Sequence, residues 1–388
     1  MHGVREHRVA VIPGDGIGPE VTGAALDVVA AAEQLYDFRV RTEEIDLGAR
    51  AYLESGRLWD DETSQQLRRC DAVLLGALGD PAVPPGVLER GIILQMRQAF
   101  GQAVNFRPVK LYPGVASTVR TATPESCDMV IIRENTEGGY SGPGTTVHEG
   151  STDAVAVQQS INTYAAIERV VDFSFRLAAR RRGRIALCHK KNILVAAGRL
   201  WQQVFDAVSE RHPDVEVDYV HVDAMCYLLP TTPERFDVVV SDNLFGDIIT
   251  DLGAVLQGGM GAAASGNLNL TGRAPSMFEP IHGSAPDIAG KGWANPVGAI
   301  LSAAMCLAQL GEIRAARAIE AAAAAVLAEM PETRGPGMGR STGEVGALVA
   351  ERITASPDAR VEVGQSPMDS LAEVVRAYQD TGGDRSDT

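Results

Sequence analysis

The sequence alternates short apolar runs with longer amphipathic stretches. The apolar runs are bounded by Gly, Pro or Asp, as in RVAVIPG, CDAVLLGALGDP and CDMVIIREN, and a stretch such as PEVTGAALDVVAAAEQL follows the first of them. This pattern is typical of βα units and predicts an α/β chain with a largely parallel sheet. Two further strands are predicted at 183–190 and 236–243, and helices from residue 296 onward. Because ligands of open α/β sheets bind beyond the carboxyl ends of strands, we expect these loops to form the active site.

Size and charge exclude several classes of protein. The 388 residues, 45% of them hydrophobic, are enough for two domains, which is our prediction. A net charge of −15 argues against a nucleic-acid partner. The five cysteines are scattered without a CxxC pair, so we expect reduced thiols and a cytoplasmic protein. No apolar run is long enough to span a bilayer and no signal-peptide pattern precedes the first strand, so we expect neither a membrane span nor export.

Three further segments have sequence patterns that predict a local structure. The glycine-rich turn Gly14–Gly18 reads G-x-G-x-G followed by proline, which departs from the G-x-G-x-x-G dinucleotide fingerprint and favours a tight turn that starts a helix. Residues 138–157 are rich in Gly, Ser and Thr and predict a hairpin or arm that reaches a second subunit. Near the end, MDSLAEVVRAYQDT predicts a helix, and we expect the terminal GGDRSDT to be disordered.

Acidic residues suggest a metal site. Asp247 and Asp251 are one helical turn apart in SDNLFGDIITDLG, which places both carboxylates on one face of a helix. Such a pair alone is more often a solvated helix face. Asp223 also follows an apolar strand, and three carboxylates together suit Mg²⁺ or Mn²⁺.

Basic and phenolic residues suggest an acidic substrate. Arg97, Arg107 and Arg133 each have apolar neighbours, as in VNFRPVK and VIIRENT, and a buried guanidinium binds a carboxylate with two hydrogen bonds. Each arginine taken singly is as well explained by a structural ion pair; together with a metal they indicate a small di- or tricarboxylate. Tyr140 and Lys190 are candidates for a proton donor and a base.

These residues lie in motifs that resemble one known family. The motifs are IPGDGIGPEV, ERGIILQMR, NFRP, RENTEGGYSG, HKKNIL, VDAM, DNLFGDIITDL and FEPIHGSAPDIAGKGWANP, and they run in order from Val9 to Val349. The chain resembles the metal-dependent β-decarboxylating dehydrogenases, which include 3-isopropylmalate, isocitrate, homoisocitrate and tartrate/D-malate dehydrogenases.

The resemblance implies a non-Rossmann α/β fold of two domains that share a central sheet. The first, NAD-binding domain would comprise residues 1–108 and 262–388, and the second, which carries dimerisation and the metal and substrate site, residues 109–261. It also implies a homodimer or a higher oligomer with shared active sites, interlocked by the arm at 138–157.

The resemblance also implies roles for individual residues. Tyr140 would supply the proton at C3 of the substrate, and Lys190 of a second subunit would be the base at the C2 hydroxyl. Asp247, Asp251 and the second subunit's Asp223 would bind Mg²⁺ or Mn²⁺. The implied substrate contacts are Ile93, Leu94, Arg97, Arg107, Arg133, Asn192 and Ile193. The implied NAD contacts are Glu279, His282, Gly283, Ser284, Ala285, Pro286, Asp287, Ile288 and Asn295.

Cofactor and substrate preference rest on a few positions. Asp287 followed by Ile288 implies NAD, because NADP-dependent members have lysine and tyrosine there and a carboxylate would repel a 2′-phosphate. The apolar Ile93 and Leu94, where isocitrate-specific members place a serine, imply an alkyl group at C3 and thus 3-isopropylmalate. RENTEGGYSG, however, is closer to the isocitrate and tartrate members, which leaves another 3-substituted malate open. A catalytically inactive subunit is the third alternative, and the complete set of implied catalytic residues disfavours it.

Overall fold

Strands and helices alternate along parts of the chain, with consecutive strands between residues 104 and 158 and between 264 and 280, and consecutive helices from residue 297 onward. The computed structural model describes residues 4–356, 358 and 364–380, so the expected disorder of residues 382–388 lies outside the described part. The strands are β1 Arg5–Gly14, β2 Phe38–Glu44, β3 Ala72–Ala77, β4 Val104–Lys110, β5 Asp128–Glu134, β6 Gly144–Val147, β7 Val155–Gln158, β8 Arg184–His189, β9 Glu216–His221, β10 Val238–Ser241, β11 Ala264–Leu268 and β12 Ser276–Pro280. The α-helices are α1 Gly18–Tyr36, α2 Ala49–Ser55, α3 Asp61–Leu67, α4 Leu94–Ala99, α5 Tyr164–Arg180, α6 Val195–Ser209, α7 Val222–Thr231, α8 Asn243–Leu256, α9 Val297–Gln309, α10 Ile313–Ala328, α11 Thr342–Ala355 and α12 Pro367–Asp380.

One ten-stranded sheet runs through the molecule in the order β2-β1-β3-β12-β11-β4-β5-β10-β8-β9. Two parallel sets, β2-β1-β3-β12 and β5-β10-β8-β9, are joined by the antiparallel strands β11 and β4. The predicted α/β class with a shared central sheet is confirmed. The domain boundary predicted after residue 108 falls inside β4, and the division into two domains stays a prediction.

The antiparallel strands reverse the direction of one parallel set relative to the other. The loops after β1, β3 and β12 therefore lie at the opposite edge of the sheet from those after β5, β8, β9 and β10. The expectation that these strand-end loops assemble one site stays a prediction, with the loops divided between two edges of the sheet. The loops after β5 and β10 lead to site residues, whereas the loop after β3 contacts the turn after β1, as described below.

The core lies on both faces of the sheet. Every residue of β3 and β5 is buried, which is the pattern of strands covered by helices on both sides. Residues Val297–Ala308 of α9 are buried all round the helix, and the alanines of α10 allow it to pack closely beside α9.

The three segments with local signals have the predicted secondary structure. Gly14–Gly18 forms a tight turn between β1 and α1, Gly14 and Gly16 having positive φ angles of 71° and 58°. Strands β6 and β7 form an exposed antiparallel hairpin within 138–157, and the predicted C-terminal helix is α12. All five cysteines are free. Within the described residues, no helix combines the length and the apolar character that a bilayer crossing requires.

Candidate active site

Three buried arginines form ion pairs with carboxylates on helix α8 and strand β12. Arg97 lies on α4, Arg107 on β4 and Arg133 on β5, and all three are buried. Burial removes most of the water around each guanidinium group. Hydrogen-bond and ion-pair acceptors on α8 and β12 compensate for this loss of hydration.

Asp247 is the acceptor at the centre of this cluster. Arg133 forms an ion pair with its Oδ1, and Arg107 Nη2 lies 3.9 Å from the same oxygen. The Tyr140 hydroxyl donates to Asp247 Oδ2 at 2.8 Å, and the Arg133 guanidinium lies over the Tyr140 ring at 5.1 Å from its centroid. The structure brings these four residues together within one chain.

Asn243 and Thr250 complete the contacts made by α8. Arg133 Nε and Nη2 donate to Asn243 Oδ1 at 3.0 and 2.8 Å, and Arg107 Nη1 donates to Thr250 Oγ1 at 2.6 Å. Sequence reasoning missed both residues. The signal was available, because Asn243, Asp247 and Thr250 recur at helical spacing on the same face of α8.

A glycine allows the close packing of Arg133 against α8. A Cβ at Gly246 would lie 2.7 Å from Arg133 Cγ and 2.8 Å from its Cβ. Any larger residue at this position would push the arginine away from the helix. Sequence reasoning also missed this role, because a glycine within a helix does not reveal what packs against it.

Burial and charge shift the pKa values of the cluster in opposing directions. Burial lowers the pKa of Arg107 to about 10, and the neighbouring Arg133 contributes to the same shift. Burial alone would raise the pKa of Asp247, but Arg133, the Tyr140 hydrogen bond and Arg107 outweigh it, so this pKa is lowered. Burial, followed by the hydrogen bond to Asp247, raises the pKa of Tyr140. At neutral pH the aspartate is therefore ionised and the phenol protonated, as a proton donor requires.

The donor chemistry of Asp247 and Asp251 fits a hard divalent cation. Both offer carboxylate oxygens from one helix face, and their side chains are 36% and 53% exposed. Asp223 does not join them: in the part of the chain that the structure describes, no three His, Cys, Asp or Glu side chains are grouped to hold a metal. The set of three carboxylates is thus incomplete within one chain, and a contribution of Asp223 from a second subunit stays a prediction.

Lys190 and Asp223 form a separate pair. Lys190 follows β8 and Asp223 begins α7, and Lys190 Nζ lies 2.6 Å from Asp223 Oδ1. The hydrogen bond from Lys190 is the main cause of the lowered pKa of Asp223. Among the described residues, no ion pair links this pair to Asp247 or Asp251.

The remaining predicted substrate contacts fall into two groups. Ile93 and Leu94 are half-buried where a π-helical turn, Glu89–Ile93, passes into α4, and such turns are frequent at functional sites. They precede Arg97 by one helical turn. Asn192 and Ile193 are exposed on the segment after β8, and Ile193 is 67% exposed. Within one chain these two residues are not enclosed.

Glu279 links the predicted cofactor segment to the arginine cluster. Its Oε1 lies 3.3 Å from Arg97 Nη2 and accepts a hydrogen bond from Asn267 Nδ2 at 2.8 Å. Asn267 in turn accepts from the buried amides of Asn105 and Asn135. This asparagine network was not predicted, because its members are far apart in sequence and only the sheet brings them together.

The loop 282–288 has features of a ligand-binding loop. Its members are His282, Gly283, Ser284, Ala285, Pro286, Asp287 and Ile288. Ala285 has a positive φ of 39°, a strained conformation for a residue other than glycine. His282 Nε2 is buried without a hydrogen-bond partner, and burial lowers the pKa of this histidine. Asp287 is exposed. An unpaired nitrogen and an exposed carboxylate on one loop fit the polar edge of a nucleotide.

The Asn295 side chain makes its hydrogen bonds outside the loop 282–288. Its Nδ2 donates to the Thr333 carbonyl at 2.9 Å, and its Oδ1 accepts from the Val297 backbone at 3.0 Å. The side chain is buried and holds the start of α9. Its predicted cofactor contact stays a prediction.

Comparison with known proteins identifies the family. Residues 8–349 match the family model described as isocitrate/isopropylmalate dehydrogenase. A 3-isopropylmalate dehydrogenase of Thermobifida fusca is 49% identical over 350 residues, covering 90% of this chain and 98% of that protein, and one of Streptomyces avermitilis is 52% identical, covering 90% and 99%. The crystal structure of isocitrate dehydrogenase from Methylococcus capsulatus has a TM-score of 0.81 at 33% identity, covering 89% of this chain and 99% of that one. The chain is therefore a decarboxylating dehydrogenase that belongs to the isocitrate/isopropylmalate dehydrogenase family.

Proposed function

We propose that this enzyme catalyses the NAD-dependent oxidative decarboxylation of 3-isopropylmalate to 2-oxoisocaproate, a step of leucine biosynthesis in the cytoplasm. The observation that carries the proposal is the convergence of Arg107, Arg133 and Tyr140 on the Asp247 carboxylate. The buried Arg97 pairs with Glu279 and adds a third guanidinium to this cluster. The names of the relatives support the substrate.

The arginines would bind the two carboxylates of a substituted malate. Arg97 and Arg107 each have a buried Nε without a hydrogen-bond partner. Planar guanidinium groups in a buried site bind carboxylates with two parallel hydrogen bonds. A dianion in this cluster would satisfy these donors, and local attraction to the guanidinium groups would let a chain of net charge −15 bind an acidic ligand.

Ile93 and Leu94 support an isopropyl substituent. They are half-buried beside the helix that carries Arg97, so they can still cover an apolar group. Burying an isopropyl group there contributes about 1.5–3 kcal/mol. A third substrate carboxylate would instead lose hydration against these side chains without gaining a partner.

Tyr140 and Lys190 would move the protons. Lys190 would accept the proton of the C2 hydroxyl, and Tyr140, protonated at neutral pH and oriented by Asp247, would donate to C3 after loss of CO₂. Asp247, Asp251 and Asp223 would hold Mg²⁺ or Mn²⁺, which as a Lewis acid stabilises negative charge on substrate oxygen. His282, Asp287 and their neighbours on the loop 282–288 would hold NAD, which accepts the hydride.

We propose further that two copies of the chain share their active sites. Lys190 and Asp223 are apart from the arginine cluster, and exposed apolar side chains lie next to both groups, including Ile193, Tyr227 and Ile248 at 67%, 69% and 50% exposure. Apolar surface of this kind on α7 and α8 favours burial against a second copy.

Mixing two inactive variants tests the shared site. Lys190→Ala and Tyr140→Phe chains are unfolded together and refolded, so that half of the dimers contain one chain of each kind. If each site takes Lys190 from one chain and Tyr140 from the other, one site per mixed dimer is intact and about a quarter of wild-type activity returns. Activity no higher than that of the separate variants would contradict shared sites.

A second candidate is a relative that acts on another 3-substituted malate, such as homoisocitrate, tartrate or D-malate. The segment RENTEGGYSG favours it, because this segment places Tyr140 and resembles the members that use those substrates. The two candidates share every proton-transfer step and differ only in what lies against Ile93 and Leu94.

Product analysis tests the reaction itself. With NAD⁺, Mn²⁺ and 3-isopropylmalate we expect NADH, CO₂ and 2-oxoisocaproate in equal amounts, and no turnover after chelation of the metal. NADH formed without CO₂ would contradict a decarboxylating reaction on this substrate.

A further inference from the structure

We propose that the glycine-rich turn Gly14–Gly18 positions the cofactor loop 282–288, and that Gly16 is the positioning residue. The turn would set the affinity for NAD through contact with Ser284 rather than through contact with phosphate. This inference rests on the proposed binding of NAD by that loop.

The turn and the loop touch through their backbones. The Ile17 amide donates to the Ser284 carbonyl oxygen at 2.8 Å. A Cβ at Gly16 would lie 2.0 Å from that oxygen and 2.9 Å from Ser284 Cβ. Gly16 also has a φ of 58°, which side chains other than glycine rarely adopt. Only glycine allows the two segments to approach this closely.

The turn is itself fixed to the ends of two strands. The buried Asp15 carboxylate accepts hydrogen bonds from Ala49 N at 2.8 Å and Gly79 N at 2.9 Å, and the Asp15 amide donates to the Ala77 carbonyl at 2.8 Å. Ala77 is the last residue of β3, and the turn continues β1. Through this turn, the sheet therefore fixes the position of the Ser284 carbonyl, which the loop alone would not do.

The loop needs such a support. Ser284 precedes Ala285, whose φ of 39° is strained, and the unpartnered His282 Nε2 lies on the same loop. A strained conformation persists only where its surroundings hold it. If the Ser284 carbonyl moved, Ala285 could relax, and His282 and Asp287 would leave the arrangement that suits a nucleotide. Displacements of about 1 Å at a binding loop have large effects on rate and affinity.

The substitution Gly16→Ala tests this role. Since the methyl group would meet the Ser284 backbone, we expect the KM for NAD⁺ to rise at least about tenfold, a loss of about 1.4 kcal/mol. The kcat at saturating NAD⁺ and the KM for 3-isopropylmalate should stay within about threefold of wild type, because the arginine cluster belongs to other elements.

Gly56→Ala is the matched control. Gly56 also has a positive φ, 72°, but no atom lies within 4 Å of the position of its Cβ. This variant carries the same backbone strain without the contact, so its KM for NAD⁺ should equal that of wild type. An equal rise in both variants would overturn the proposal, as would an unchanged KM in Gly16→Ala or a rise of both substrate KM values together.

A milder variant covers the case in which Gly16→Ala does not fold. Asp15→Asn replaces one acceptor of the turn's anchoring hydrogen bonds with a donor, and it should raise the KM for NAD⁺ alone, by a smaller factor. If the wild type forms no NADH but NAD⁺ raises its Tm, the proposed function fails and the positioning role is still tested. In that case the NAD⁺-induced rise in Tm should be smaller for Gly16→Ala than for Gly56→Ala, and equal rises would overturn the proposal.

Discussion

At the scale of single residues, the site depends on groups that hold one another in a defined charge state. Asp247 stays ionised because Arg133 and Arg107 surround it. Tyr140 stays protonated because burial, followed by the hydrogen bond that its hydroxyl donates to Asp247, raises its pKa. Removing one member therefore affects the others. Variants that keep the shape of a side chain and change one function separate these effects best.

Tyr140→Phe removes the proposed proton donor and keeps the ring that packs beneath Arg133. We expect CO₂ release and protonation at C3 to slow by about a hundredfold or more, which is the usual contribution of a positioned acid. Hydride transfer should slow less. Rapid-mixing experiments should therefore show one fast turnover of NADH formation, followed by slow release of the decarboxylated product. An unchanged steady-state rate would remove Tyr140 from the mechanism.

Asp287→Lys reverses the charge of the exposed carboxylate on the loop 282–288, which we propose binds NAD. The lysine would attract the 2′-phosphate of NADP that the aspartate repels, so the ratio of kcat/KM for NAD⁺ to that for NADP⁺ should fall by about tenfold or more. Steady-state kinetics with both cofactors measures this ratio. Glu351→Lys, an exposed change on α11, is the control for the altered net charge, and a similar fall there would mean that Asp287 lies away from the adenosine ribose.

At the scale of elements, α12 lies wholly beyond the family match, which ends at residue 349. The helix packs against α9 and α10 and also against α5, which lies in the other predicted domain. Leu371 on its inner face is fully buried. Leu371→Ala should lower the free energy of unfolding by about 2–5 kcal/mol. Urea denaturation measures this, with the exposed Arg376→Ala as control; equal stabilities would contradict a structural role for α12.

The segment before α12 adds a pH-dependent contact. Asp128 on β5 accepts hydrogen bonds from Arg181 Nη2 at 2.8 Å and from the Gln365 backbone at 3.1 Å. Burial would raise the pKa of Asp128, but Arg181 outweighs it and the pKa is lowered below its ordinary 3.8. A lowered carboxylate pKa contributes stability that is complete above the ordinary value and is lost as the pH falls through the folded value.

Asp128→Asn should therefore cost about 2 kcal/mol at pH 7, and this cost should shrink as the pH falls below about 4. Urea denaturation of both proteins at several pH values measures the difference. A difference that is constant from neutral to acidic pH would mean that the charge of Asp128 does not contribute to stability.

At the scale of the whole molecule, local sequence signals predicted the elements, and long motifs predicted the site. Apolar runs placed the strands, and the spacing of Asp247 and Asp251 placed both on α8. The reversal of direction across β11 and β4 was not predictable, because strand order depends on contacts between distant segments. For the same reason, the network of Asn105, Asn135 and Asn267 and the contact of Gly16 with Ser284 appear only in three dimensions.

A comparison of catalytic efficiencies for five diacids tests the proposed substrate, 3-isopropylmalate. NADH formation with NAD⁺ and Mn²⁺ is measured for 3-isopropylmalate, isocitrate, homoisocitrate, D-malate and tartrate. We predict a kcat/KM for 3-isopropylmalate at least about a hundredfold above the others, which corresponds to about 2.7 kcal/mol of discrimination at Ile93 and Leu94. A higher value for any other diacid, or uniformly weak turnover of all five, would contradict the assignment of 3-isopropylmalate as the substrate.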